Sequence, residues 1–367
     1  MKKIISSLFL SVLLLGSVLW GAAVGKDAVF SDSPQPVFAA TLLQENEDSP
    51  LMKTEIENEL RQQSFKGTAL IIHDGQPIFQ ESFGFANLKE KQLNDEEVAY
   101  PVASLQKFMT AVMIQQLVSE KLITYDTSLA EFYPEISDSN QITVRQLLDH
   151  NSGIQMAETA PPSVLTTEDE QLEYTLDELS SGNEQEFSYT NANYTLLAGI
   201  IIKLTGKSYE ENLQQRIIAP LHLKHTWSWD QLPESVVIPQ AYRHEWGLDY
   251  RDDDFDNSRR LFSSLLGAGN LYMTAADLWT VQQGLIDGRL LSKAEYHQMA
   301  AVDSESYSGG LWHEAGRKMI HGSLGGFDTA VYGDETNETL VILLANQAPT
   351  SGADNLAETL FDLVSRH

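Results

Sequence analysis

The sequence predicts an α/β chain of the α+β kind: one antiparallel sheet built from both ends of the chain, flanked by helices, with a mostly helical lobe inserted between. Three observations carry this. Strand-like segments at 67–73 and 77–84 flank Asp74-Gly75, the signature of a hairpin. Strand patterns return near the other end, at 318–320, 328–332 and 339–344, ahead of a last helix at 355–364. Between them, from Ser104 to about Ala300, helical spacing dominates, so the terminal strands should share a sheet and a cleft should open where the lobe joins it.

Taken in order, Met1-Lys2-Lys3, an apolar run from Ile4 to Trp20 and the small residues Gly21-Ala22-Ala23 read as a signal peptide over 1–24. Uncleaved, Ile4 to Val24 is long enough to span a bilayer, so an N-terminal membrane anchor is the alternative. Residues 25–50 mix Ser, Asp, Pro, Glu and Ala without periodicity, which predicts a flexible linker before a folded domain over 51–367. Val102 to Val118, free of Gly and Pro, predicts a buried helix of about four turns. The acidic stretch 158–186, with Pro161-Pro162, reads as a loop bordering the cleft. Phe187 to Gly199 joins a polar turn to an apolar helix that stops at Gly206. Asp249 to Asn257 clusters acids, but a calcium loop counted from Asp252 needs Gly where Asn257 stands and Glu where Ser263 stands, so it reads as a solvated surface loop.

The net charge of −28 is spread along the chain, which disfavours nucleic acid and anionic membrane surfaces as partners. It would draw in cationic ligands, or serve solubility alone. With no Cys there are no disulfides, thiolate metal sites or lipid-modified cysteines. No cofactor or metal ion is expected.

Ser104 opens the predicted buried helix, where a serine is ordinarily an N-cap. Lys107 changes that reading. One turn on and on the same helix face, it stands among Phe108, Met109 and Ala111. Burial disfavours a charged amine, and a neutral Lys beside a Ser is a general base beside a nucleophile. The helix N-terminus adds a field that steadies negative charge on the hydroxyl. Tyr189, on the polar turn, can relay protons if it faces the same cleft; otherwise it is a tyrosine packed at a seam.

Ser104-Leu105-Gln106-Lys107 and Tyr189-Thr190-Asn191 together resemble the first two motifs of the penicillin-binding protein and class C β-lactamase superfamily of serine hydrolases. Segments 142–154, 218–223, 267–278 and 341–346 resemble further landmarks of that family in the same order, so the resemblance covers about residues 55–365. It implies a β-lactamase/transpeptidase-like fold. It also implies acylation of Ser104, proton shuttling by Lys107 and Tyr189, and a hold on the substrate amide by Asn191.

The family's third motif is a strand reading Lys or His, then Ser or Thr, then Gly, with Gly-Phe shortly after. Here Ile320-His321-Gly322-Ser323-Leu324-Gly325-Gly326-Phe327 aligns through Gly322 and Phe327, leaving Ile320 at the basic position and His321 at the hydroxyl position. Strand alternation puts His321 on the other face from the basic position unless the strand is irregular. Recognition of a substrate carboxylate should weaken, while the N–H groups of Ser104 and Ser323 can still form an oxyanion hole. The expected substrate-binding residues are therefore Asn191, His321, Gly322 and Ser323.

The expected function is an exported hydrolase acting on D-alanyl bonds of a bacterial cell-wall polymer or peptide. An ester on teichoic acid is favoured over a D-alanyl-D-alanine stem, because the ester offers an ammonium and no carboxylate. A β-lactamase or general esterase of the same fold, and a non-catalytic envelope-binding or sensing protein, are the alternatives. His321-Gly322-Ser323-Leu324-Gly325 approaches the G-x-S-x-G elbow, but its first Gly is missing and a strand pattern follows, so Ser104 is the expected nucleophile.

Overall fold

A computed structural model describes residues 49–182, 185–253, 259–304 and 306–367. The expected signal peptide, and the linker up to residue 48, lie outside the described residues.

Nine strands form the main sheet: β1 Lys66–His73, β2 Gln76–Phe83, β3 Tyr242–Glu245, β4 Leu248–Asp252, β5 Tyr307–Ser308, β6 Leu311–Glu314, β7 Arg317–Leu324, β8 Phe327–Asp334 and β9 Leu340–Gln347. β1 pairs antiparallel with both β2 and β9, so the two ends of the fold meet as expected. From β9 the sheet continues through β8, β7, β6 and β5. The helices that matter for the site are α1 Ser49–Gln62, α2 Gln106–Ser119, α3 Glu168–Glu178, α4 Asn191–Thr205 and α5 Ala353–Val364.

The central strands are apolar throughout because both faces are covered. Leu70, Ile72, Ile320, Val331, Ile342 and Leu344 face the helical lobe. Their neighbours Ala69, Ile71, Ala330, Val341 and Leu343 face the opposite layer, where Ile56 and Leu60 of α1 and Leu356 and Leu360 of α5 pack on them. Period-two alternation thus sorts one run of residues into two cores. α2 is buried on nearly every side, as a helix apolar all round must be. Truncating Met109 to Ala in that core would cost about 2–5 kcal/mol.

The structure corrects several expectations. Stretch 158–186 is not all loop: α3 runs through it, capped reciprocally by Thr167 and Glu170. The acidic segment at 249 begins as edge strand β4, with Asp249 ion-paired to Lys66 at 2.7 Å; residues 254–257 lie outside the described residues. α1 starts inside the expected linker, at Ser49. The lobe also contains a three-stranded sheet, in which Leu271–Met273 pairs with Tyr100–Pro101 on one side and Thr226–Ser228 on the other.

Candidate active site

That small sheet positions the site. Val102 donates its N–H to Leu271 O at 2.9 Å, and Thr110 Oγ1 on α2 donates to Gly267 O at 2.6 Å, which lays segment 267–271 along the first turns of α2. Ser104 lies in the tight turn Ala103–Leu105 just before α2, and no side chain caps the helix, so the N-cap role does not apply. Ala103 before it holds φ 48°, a left-handed conformation that costs a residue with a Cβ about 1–2 kcal/mol. Such strain persists where packing on all sides imposes it.

Lys107 is fully buried, yet its surroundings are not purely apolar as its sequence neighbours imply. Its Nζ lies 2.8 Å from Ser104 Oγ, 2.7 Å from Asn191 Oδ1 and 2.9 Å from Ala268 O. An amide oxygen and a backbone carbonyl can only accept. An ammonium donates to all three, whereas a neutral amine has two N–H groups, which these two acceptors can take, leaving its lone pair for the serine hydroxyl.

Tyr189 and Asn191 come from the start of α4. Thr190 caps that helix, its Oγ1 accepting from Ala192 N, and Gly206 ends it in the left-handed region at φ 67°. The Lys107 ammonium position lies 4.9 Å from the Tyr189 ring centroid. Ser104, Lys107, Tyr189 and Asn191 are thereby brought together. Tyr189 remains 41% exposed, open to an incoming ligand.

Beneath Tyr189 sits His150, buried, with ring centroids 4.3 Å apart. Asn193 Nδ2 lies 3.0 Å from His150 Nδ1, and the Thr190 N–H points at the same nitrogen. Ser152 Oγ donates to Asn193 Oδ1 at 2.7 Å, which fixes that amide's orientation and makes Nδ1 the acceptor. The proton of a neutral ring is then on Nε2. Burial, then the nearby Lys107 charge, push the imidazole well below its usual range.

The third motif divides. Gly322 is where the sheet touches the nucleophile turn: a Cβ there would stand 2.6 Å from Val102 O and 2.9 Å from Ser104 N. Ile320, on the same face, is buried in the lobe core. His321 is on the other face, its Nε2 2.7 Å from Asp328 Oδ1, and Asp328 also accepts from Ala353 N at the start of α5. Burial opposes the imidazolium, but the Asp328 bond and the charges of Asp328 and Asp354 outweigh it and raise the group. His321 therefore has a partner away from Ser104, although it borders the cavity along the rim of β7. β6 pairs only with the first part of that strand, Arg317 to Met319. Ser323 is exposed on the His321 face.

The cleft is a cavity of about 460 Å³ bordered by Ser104, Glu158, Tyr189, Asn191, Trp312 and His321 among others. Glu158 was not singled out by the sequence beyond its place at the head of an acidic stretch. Its Oε1 accepts from Asn191 Nδ2 at 2.8 Å, which places a carboxylate beside the Ser104–Lys107 pair. No spacing rule marks such a residue. His150, by contrast, lies inside a recognised landmark without an evident role. Among the described residues no cluster suited to a metal ion occurs.

The sequence profile of the Beta-lactamase family matches residues 51–364, and the chain belongs to that family, among penicillin-binding-protein-like serine hydrolases. A Bacillus subtilis (strain 168) protein, provisionally named penicillin-binding protein PbpX, is 27% identical over 85% of this chain and 78% of its own length. Teichoic acid D-alanine hydrolase of Staphylococcus aureus is 25% identical over 75% of this chain, which spans only 64% of that relative. In fold, the chain is similar to FmtA from Staphylococcus aureus (TM-score 0.77, 21% identity, 89% of this chain and 90% of that one). It is also similar to D-amino acid amidase from Ochrobactrum anthropi SV3 (TM-score 0.73, 20% identity, 88% and 99%).

Proposed function

We propose that the chain is an exported serine hydrolase that removes D-alanine from ester linkages on a cell-wall polymer of the teichoic acid type. The observation that carries the chemistry is the reach of Lys107 Nζ, 2.8 Å from Ser104 Oγ and held by two fixed acceptors, Asn191 Oδ1 and Ala268 O, which can take both N–H groups of a neutral amine and leave its lone pair for the serine proton. Ser104 Oγ attacks the ester carbonyl carbon as its proton passes to Lys107. The N–H groups of Ser104 and Ser323 hold the oxyanion. When the intermediate collapses, the ester C–O bond breaks and the polymer oxygen leaves with a proton relayed through Tyr189. Water then attacks the D-alanyl–Ser104 ester, gives a proton to the Lys107–Tyr189 pair, and releases D-alanine with Ser104 restored.

The substrate reading rests on charge. With Ile320 at the basic position and His321 bonded to Asp328, a terminal carboxylate lacks its usual partner. Glu158 in the cleft, and the net charge of −28, suit an ammonium instead. A D-alanyl ester has that ammonium and no free carboxylate, and the relative named teichoic acid D-alanine hydrolase supports the same class. The signal peptide read at 1–24 provides export. Incubating purified protein with D-alanylated teichoic acid and with a D-alanyl-D-alanine peptide tests this. D-alanine should be released from the polymer; release from the peptide alone would refute the ester assignment, and release from neither would refute the hydrolase reading.

A further inference from the structure

β6 turns Leu311 and His313 inward and Trp312 and Glu314 outward, which leaves a tryptophan 40% exposed. Trp312 stands opposite Tyr307 of β5 and Met319 of β7, and all three border the catalytic cavity. Phe187, two residues before Tyr189 and 48% exposed, completes the surface. Its ring centroid lies 5.4 Å from that of Trp312 and 5.9 Å from that of Tyr307, and Tyr307 in turn meets Tyr189 edge-on at 5.9 Å. The rings therefore run without a break from Tyr189 to Trp312.

Exposed apolar residues scattered singly need no explanation, but these are gathered. Of the four strongly exposed Phe, Tyr and Trp side chains among the described residues, only Trp246 stands apart, in the β3–β4 turn. The surface is also held rigidly. Ser188, beside Phe187, donates its N–H to His150 O at 2.8 Å, and Tyr307 packs edge-on against Trp312 at 5.3 Å. The β5–β6 turn presses on α2 so closely that a Cβ on Gly310 would stand 2.4 Å from Phe108 N. Rings fixed in advance bind without a further ordering cost.

The position of the surface says which part of a substrate it meets. Glu158, on Asn191, suits the D-alanyl ammonium, whereas Tyr189 passes a proton to the departing oxygen. The alcohol part of the ester must then lie beyond Tyr189, over Tyr307 and Trp312. Among the described residues bordering the cavity there is no Lys or Arg, and the basic side chain there, His321, is paired with Asp328, so this side offers a phosphate little. Aromatic faces are electron-rich and attract the positive ends of C–H bonds. A pyranose ring presents a flat face of such bonds and keeps its hydroxyls at the rim, in water, as a half-exposed platform requires. An open-chain polyol has no fixed face and would lose rotational freedom on binding.

We propose that Trp312 and Phe187 form a sugar-binding platform on the leaving-group side of the cleft, which selects polymer units whose D-alanyl ester is carried by a pyranose ring. The inference rests on the D-alanyl ester reading and specifies the alcohol that carries the ester.

The test compares two synthetic substrates with the full-length protein: methyl glucoside esterified by D-alanine at its primary hydroxyl, and the D-alanyl ester of glycerol. The kcat/KM for the glucoside should exceed that for the glycerol ester about fivefold, the scale of one aromatic contact, with the difference in KM. Trp312→Ala should bring this ratio close to one, and Trp312→Phe should keep most of it. Equal wild-type values would overturn the platform, and so would a loss in Trp312→Ala shared by both esters, because support of Tyr189 alone leaves the ratio intact. Binding of the same two esters is measured by calorimetry in the Ser104→Ala background, where the glucoside should bind about fivefold tighter until Trp312→Ala is added. D-alanine release without this preference would refute the platform alone. The preference without D-alanine release from either ester would retain the platform and refute the hydrolase reading.

Discussion

The imidazole of His150 packs against the phenol ring of Tyr189 with 4.3 Å between centroids, while its Nδ1 faces the N–H of Thr190, the residue that caps α4. One buried ring thus sets both the support under Tyr189 and the start of the helix that carries Asn191. Because Asn191 is also an acceptor for Lys107, the first and second motifs are tied through His150 without His150 touching Ser104.

The two site histidines should titrate in opposite senses. His150 is depressed, so the unfolded chain binds more protons below the ordinary histidine value of about 6.5, and its contribution to stability, complete above that pH, is lost as pH falls toward its folded value. His321 is raised, so its contribution is complete below about 6.5 and is lost as pH rises through its folded value. Ring resonances of labelled histidine would check this: His150 should stay in its neutral form on acidification to pH values where His321 is fully protonated. A His150 that protonates before His321 contradicts the assignment.

Covalent labelling separates the two serines near the cleft. A fluorophosphonate probe should add its mass to wild type and to Ser323→Ala, and fail on Ser104→Ala. Ser323→Ala retains the backbone N–H that the oxyanion needs, so its esterase rate should fall less than tenfold, far below the loss of about 10²–10³ for a missing donor.

Lys107→Met keeps the length of the side chain and removes the base. Ester hydrolysis should drop by about 10²–10⁴, the usual worth of general acid–base catalysis. The same substitution leaves Asn191 Oδ1 and Ala268 O without their donor, so a loss of about 1–3 kcal/mol in urea unfolding should accompany it.

Gly322→Ala introduces a methyl where Val102 O would be 2.6 Å and Ser104 N 2.9 Å away. Either β7 or the nucleophile turn must shift. The expected result is a fall in kcat of about 10²-fold, since small misplacements of reacting groups cost that much, with a loss of stability of about 1–3 kcal/mol.

Glu158→Gln should discriminate among substrates rather than abolish turnover. For D-alanyl esters KM should rise about tenfold, on the scale of a hydrogen bond to a charged group, whereas acetyl esters, which lack the ammonium, should be hydrolysed as by wild type. Equal effects on both would leave Glu158 as a mere partner of Asn191.

The parts of this molecule that follow a short-range rule are legible in its sequence. Short strand-like runs bounded by turn residues mark β1, β2, β8 and β9, an uninterrupted apolar run marks α2, and Gly206 marks the end of α4. α3 escaped because its acids suggest a solvated loop, yet Thr167 and Glu170 stand at the spacing of a capping box, a signal that outweighs composition. α1 shows the core mainly Ile56 and Leu60 among charged residues, one turn apart and easily passed over. In the site, Ser104 and Lys107 are linked by helix geometry and could be paired in advance. Glu158 reaches Asn191 across 33 positions of intervening chain, and nothing local encodes that meeting. The strand rule did anticipate that His321 and Ile320 occupy opposite faces. Which partner the imidazole takes there, Asp328, depends on the β7–β8 register.

The pairing of β1 with β9 joins residues 66–73 to 340–347, so the middle of the sheet waits for a segment synthesised long after β1. Until then β1 has only its hairpin partner, and an isolated hairpin is marginal in water. A nascent chain, even one with Ser104 and Tyr189 already made, has no backing for β7 and hence nothing to hold the strand against the nucleophile turn. High contact order of this kind delays folding. It leaves the translated polypeptide inert until β9 is free to pair.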